Sequence, residues 1–196
     1  MGIVSEPKAV AATSFRDATA ADWEYVTRLG REAMERDAGR AVMALLRSQK
    51  DVPRHGWQVN NYEHSLQCAT RALKNGETEE YIVACLLHDL CQDLNPYNHD
   101  KLAGDALRYY VSDELHWVVA NHQVFQLSFR DHSKFDTKAC EKYRGHPYFE
   151  AAMRFCEHSD MNCFGKYDYL PLEHFEPMVY RLYEKGVQAF HAKHPY

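Results

Sequence analysis

No apolar run in this chain approaches the roughly 20 residues that span a bilayer, so no membrane-spanning helix is expected. The opening MGIVSEPKAVAATSF has no basic segment followed by a continuous apolar block, which argues against a secretory signal. A glycine follows the first methionine, as in myristoylation signals, but the serine is Ser5, one place short of that pattern. Cysteine pairs are also missing. None of the six cysteines (Cys68, Cys85, Cys91, Cys140, Cys156, Cys163) forms a CxxC, and most sit among apolar helical positions. They read as reduced, buried thiols of a cytoplasmic protein. Positive charge is in deficit, with 23 Lys and Arg against 28 Asp and Glu and a formal net charge of -5. That balance argues against nucleic acid as a partner, because a phosphate backbone rewards a basic surface. Period-two alternation, internal repeats and low-complexity tracts are all lacking, which leaves little room for a sheet or a long linker.

What remains is a helical pattern. At 196 residues, with 45% hydrophobic and 26% charged residues, the chain fits one globular domain with a core of its own. Residues 1–15 read as a loose arm. Thr19 or Asp22 is placed to cap a helix to about Leu29, and a second helix covers about Arg31 to Gln49 with Ala41, Leu45 and Leu46 inward. The stretch DVPRHGWQVNN, with Pro53 and Gly56, breaks the period and predicts a loop. Tyr62, Leu66, Ala69 and Leu73 restore it until Asn75-Gly76. Thr78, followed by Glu79 and Glu80, is a good cap for an apolar helix to about Cys91. Asp93 to Asn98, with Pro96, predicts a loop before helices over about Asp100–Tyr110 and Asp113–Val124. After a polar stretch from Phe129 to Pro147, one helix turns Phe149, Ala152 and Phe155 inward. A last one begins near Pro171 and turns Phe175, Val179, Leu182 and Val187 inward. The expected class is all-α.

Twelve histidines is a high count for this length, and four of them fall with two aspartates at helix ends or on inner faces: His64, His88, Asp89, His99, His122 and Asp160. His88-Asp89 follows four apolar residues, so an imidazole and a carboxylate emerge together from the buried end of a helix. A buried carboxylate needs a partner such as a metal, and imidazole suits iron, zinc, nickel or copper. Taken singly, each has an ordinary structural explanation. His64 can satisfy a backbone carbonyl, His99 can cap a helix, and Asp160 can pair with Arg154 or Lys166.

Taken as an ordered set, H…HD…H…H…D resembles the HD superfamily, whose commonest members are metal-dependent phosphohydrolases. NNYEHSLQCAT, IVACLLHDL and PYNHDKLAGDAL are similar, more narrowly, to the mixed-valent di-iron oxygenases that cleave the carbon–phosphorus bond of 1-hydroxyphosphonates. The later HPYFEAAMRFCEHSDMNCFGKYDYLPLEHFEPMV resembles oxygenase-like proteins of the same branch. Myo-inositol oxygenases are more distant cousins. The resemblance spans about Gly56 to Val179. It implies an HD-domain helical bundle, two Fe ions as a mixed-valent Fe2+/Fe3+ pair, and dioxygen as co-substrate. One iron would take His64, His88, Asp89 and Asp160; the other would take His99 and His122, with Asp89 bridging both. Asp89 and His88 would then be catalytic.

The family's substrate groups differ here. A histidine that helps hold the substrate is replaced by Gln92, and a lysine that contacts phosphonate by Gln126. A glutamate that recognises an ammonium becomes Trp57, and a nearby tyrosine becomes Arg54. An aromatic face attracts a quaternary ammonium, which cannot donate hydrogen bonds, by ~1–2 kcal/mol when desolvated. Trp57, with Tyr62 nearby, then favours 1-hydroxy-2-(trimethylammonio)ethylphosphonate as substrate, with glycine betaine and phosphate as products; the alternative is that Trp57 packs the loop against the core. Gln92, Gln126, Arg54, Lys142, Arg144 and Lys134 are candidate phosphonate donors, a surface role being the ordinary reading of Lys134 and Arg144. A 2-oxoglutarate-type hydroxylase would be the upstream partner that supplies the 1-hydroxy substrate. The rival expectations are a phosphohydrolase acting on a nucleotide or phosphate ester and, behind it, a degenerate HD scaffold.

Overall fold

The computed structural model describes residues 8–54 and 56–193. Its architecture is seven α-helices with three short 3₁₀ turns, and no strand occurs among the described residues. The expected residues 1–15 arm falls partly outside them; what is described of it, from Lys8 on, is not helical.

α1 (Ala20–Ser48) starts on a capping box. Thr19 Oγ1 accepts from the Asp22 amide at 3.2 Å, and Asp22 Oδ2 accepts from the Thr19 amide at 2.9 Å. The two helices expected on either side of Gly30 are one. A helical glycine costs about 1 kcal/mol against alanine, too little to break a run with good formers on both sides. The buried stripe is also offset from the expected one: Gly39, Val42, Met43 and Leu46 face inward, while Ala41 and Leu45 are exposed.

α2 (Asn61–Lys74) has its own capping box, between Asn60 and Glu63. It stops at Gly76, whose φ of 75° lies in the left-handed region that glycine adopts without strain. α3 (Glu79–Leu87) is capped by Thr78 and is buried from Tyr81 to Leu87. It ends sooner than expected. From His88 the chain tightens into turns in which the Leu90 amide donates to Leu87 O and the Gln92 amide to Asp89 O. That tightening aims His88 and Asp89 into the same space rather than around a helix.

α4 (His99–Leu107), α5 (Asp113–Gln126), α6 (Phe149–His158) and α7 (Leu172–Lys193) complete the bundle. α2 packs on α3, α4 on α5, α5 on α6 and α1 on α7, with α3 also against α5 and α7. The core runs through α3 and includes Leu66, Leu86, Leu87, Val119, Phe125, Phe155 and Phe175. Among the described residues no helix is long and apolar enough to cross a membrane.

Candidate metal centre

The six candidate ligands come from five local devices. His64 lies one turn into α2, and His88 is the residue at which α3 unwinds, with Asp89 next. His99 opens α4, His122 lies in the last turn of α5, and Asp160 begins a 3₁₀ turn just after α6. The structure brings all six together in the interior, none more than 4% exposed.

The imidazoles are oriented alike. His64 Nδ1 meets Cys163 O at 2.9 Å, His88 Nδ1 meets Cys85 O at 2.8 Å, His99 Nδ1 meets Pro96 O at 3.0 Å, and His122 Nδ1 meets Val119 O at 2.8 Å. A carbonyl only accepts, so each Nδ1 carries the proton and each Nε2 presents a lone pair to the centre. Yet His64 Nε2 lies 3.2 Å from His88 Nε2, and His99 Nε2 lies 3.2 Å from His122 Nε2. Lone pairs facing each other across buried gaps repel unless a proton or a metal cation sits between them.

The carboxylates complete two sets. Asp160 Oδ1 is 3.3 Å from His64 Nε2 and 3.5 Å from His88 Nε2, and it is buried without a hydrogen-bond donor. Asp89 Oδ1 is 3.1 Å from His99 Nε2 and 3.2 Å from His122 Nε2. The same carboxylate reaches the first pair, with Oδ2 at 3.6 Å from His64 and Oδ1 at 3.7 Å from His88. Two ligand atoms held about 2.1 Å from one cation at roughly 90–110° lie about 3.0–3.4 Å apart. The donor set thus fits two cations, with Asp89 between them. Imidazole with carboxylate suits iron, manganese or zinc.

Several supporting groups escaped the sequence. Gln49, at the end of α1, donates through Nε2 to Asp89 O at 3.0 Å and Leu90 O at 2.8 Å, clamping the His-Asp turn. Phe164 stacks on His64 with centroids 4.5 Å apart, and Phe155 sets its edge against His88 at 5.5 Å. Arg130 donates to Gln126 Oε1 at 3.0 Å. Gln49 acts on residues 40 and 41 positions further on, which no local pattern marks, whereas Arg130 reaches Gln126 about one helical turn back.

The candidate substrate residues divide. Gln126 reaches the centre, donating to Asp160 Oδ2 at 2.5 Å. Trp57 is 63% exposed but packs on Phe164 with centroids 4.8 Å apart, extending an aromatic path outward from His64. Gln92 follows Asp89 in the same turn. The other three are engaged elsewhere. Arg54 pairs with Glu63 at 3.5 Å. Tyr62 lies half-buried beside Glu173, Tyr169 and Arg47. Lys142 sits over the Tyr143 ring at 4.9 Å and lines an outer cavity of about 360 Å³ with Lys101 and Arg130.

Burial pulls His64, His88 and His99 down. The Asp160 contact of His64, the Asp89 charge beside His88 and the Asp89 contact of His99 outweigh it, so all three rise above 6.5, His88 to about 9. Burial would raise Asp89 and Asp160, but the imidazoles hold both carboxyls well below the usual range. A group with a raised folded pKa stabilises below its unfolded value and loses that contribution as the pH climbs through the folded one. The carboxylates stay ionised throughout this window. Metal-free protein is therefore expected to lose thermal stability from about pH 6.5 to about pH 9. The same deprotonation frees Nε2 for a cation, so the Tm increase on adding metal is expected to grow over that range. Melting curves with and without metal across the window check both trends; a metal-free Tm that rises with pH contradicts them.

The chain matches no family model and no curated protein.

Proposed function

We propose that this chain is a di-iron oxygenase that cleaves the carbon–phosphorus bond of a 1-hydroxyphosphonate. The observation that carries the proposal is the sharing of Asp89 between two buried imidazole pairs whose Nε2 atoms all face inward. Bound iron would supply Lewis acidity and redox capacity toward dioxygen. The choice of iron and of oxygen chemistry comes from the resemblance of the EHSLQ and LLHDL segments. The overall change balances as one 1-hydroxyphosphonate and one dioxygen giving one carboxylic acid and one phosphate.

The chain's own residues set the geometry. Gln126 holds Asp160 by Oδ2, which leaves Oδ1 turned to the centre. Gln49 fixes the backbone that carries Asp89. Arg130, bonded to Gln126, brings a positive charge into the network around Asp160 and suits a phosphonate oxygen. Phe155 and Phe164 pack on the imidazoles and exclude water from their side. Trp57, 63% exposed, presents an aromatic surface suited to a trimethylammonium group, which favours 1-hydroxy-2-(trimethylammonio)ethylphosphonate over the primary amine. Glycine betaine and phosphate would be the products, and a 2-oxoglutarate-type hydroxylase the class of enzyme that supplies the substrate.

The test admits dioxygen to iron-loaded protein with this substrate and follows oxygen uptake and phosphate release together. Equal uptake and release are expected. Phosphate released from phosphate esters without oxygen would replace the proposal with a phosphohydrolase. Trp57→Leu is expected to raise KM for the trimethylammonio substrate about two- to fivefold, the scale of an exposed cation–π contact, with little change for the amino analogue. Equal effects on both substrates would remove Trp57 from recognition.

A further inference from the structure

The 162–168 segment that orients His64 through the Cys163 carbonyl also forms one wall of a second cleft, of about 450 Å³. The opposite wall is one face of α2. Gln67, Thr70, Arg71 and Lys74 recur there at helical spacing, opposite Lys166 and Asp168. Three cations therefore face a single carboxylate in a chain whose net charge is -5.

Two details point to a ligand rather than to a solvated basic surface. Arg71 spends Nε on His158 O at 2.6 Å, which leaves both terminal nitrogens of its guanidinium for another acceptor. Gln67 is only 4% exposed. Its Nε2 donates to Gly165 O at 2.8 Å, while its buried Oε1 has no donor. The Gly165 bond ties α2 to the opposite wall, so the cleft is built rather than a loose surface.

We infer that this cleft binds a small phosphate or phosphonate anion, its charge facing Arg71, Lys74 and Lys166. The cleft is roomier than phosphate alone requires, so a short organic substituent on phosphorus also fits. This site stands independently of the proposed oxygenase, because none of its residues is a metal-ligand candidate.

The experiment titrates inorganic phosphate, and separately methylphosphonate, into full-length, chelator-treated protein by calorimetry. Saturable binding of at least one is expected, and the tighter of the two shows whether the cleft prefers bare phosphate or a phosphorus with an organic substituent. Lys74→Gln with Lys166→Gln, both at exposed positions, is expected to weaken it roughly tenfold. Gln67→Glu, which adds a buried negative charge beside the cationic wall, is expected to abolish it. Asp89→Ala is expected to leave it unchanged. No saturable binding at millimolar anion, or a double variant that binds as tightly as the native chain, overturns the inference. Oxygenase activity does not enter any of these readouts, so the two proposals fail separately.

Discussion

Asp89→Ala is expected to lower phosphate-releasing turnover by at least about 10³-fold, the scale on which a metal centre stabilises charge in a transition state. The reason lies in its position. Asp89 Oδ1 is within 3.2 Å of both His99 and His122, and its carboxylate also faces His64 and His88. Without it the His99/His122 pair has no carboxylate, and the His64/His88 pair keeps only Asp160. Metal content per chain is therefore expected to fall at both positions, most at His99/His122. Asp89→Asn is the informative companion, since it keeps the volume and removes the charge. Metal analysis of both variants beside turnover checks the expectation. Native metal content and native turnover in Asp89→Ala would show that this carboxylate bridges nothing.

The second large effect comes from a residue that touches no ligand. Gly104 on α4 lies against Ala120 on α5. A Cβ at position 104 would come within 2.6 Å of Ala120 Cβ and 2.9 Å of its Cα. A backbone atom cannot yield as a flexible side chain does, so Gly104→Ala must push the two helices apart. Overpacking of this kind costs about 1–3 kcal/mol. These helices carry His99 and His122, whose Nε2 atoms are 3.2 Å apart. The expected result is a folded, less stable protein that keeps metal at His64, His88 and Asp160 and loses it at His99 and His122. Far-UV circular dichroism, thermal melting and metal content per chain test it together. Native stability with full metal content would mean that the helix spacing is not what holds the second pair.

Why some of this was legible in the sequence and some was not follows from where the information resides. The helices carry their own signals, such as the capping residues Thr19 and Thr78 and the apolar run Ile82–Leu87, whereas the Asn60 cap reads only as part of a loop. His88-Asp89 stood out because charge at the buried end of an apolar helix has few inexpensive solutions. Gly30 misled, since glycine is only mildly unfavourable inside a helix with strong formers on both sides. The stripe of α1 was misplaced by one residue, with Leu45 exposed and Val42 and Met43 buried, because α1 is apolar on more than one side. Gln49, Phe164 and the Cys163 carbonyl act across tertiary contacts, where neither residue type nor spacing announces a role. Long basic side chains are hardest to place, as Arg54 and Lys142 show by turning to Glu63 and Tyr143. Their direction depends on neighbours that only the folded chain supplies.

The most direct test is the number and separation of metal ions in the purified, iron-loaded protein, by elemental analysis with X-ray absorption. Two irons per chain, separated by about 3.5–4 Å as in other two-metal sites, are expected, with the pair lost in Asp89→Ala. A single iron per chain, or two without a short metal–metal vector, would contradict a centre built on a shared Asp89.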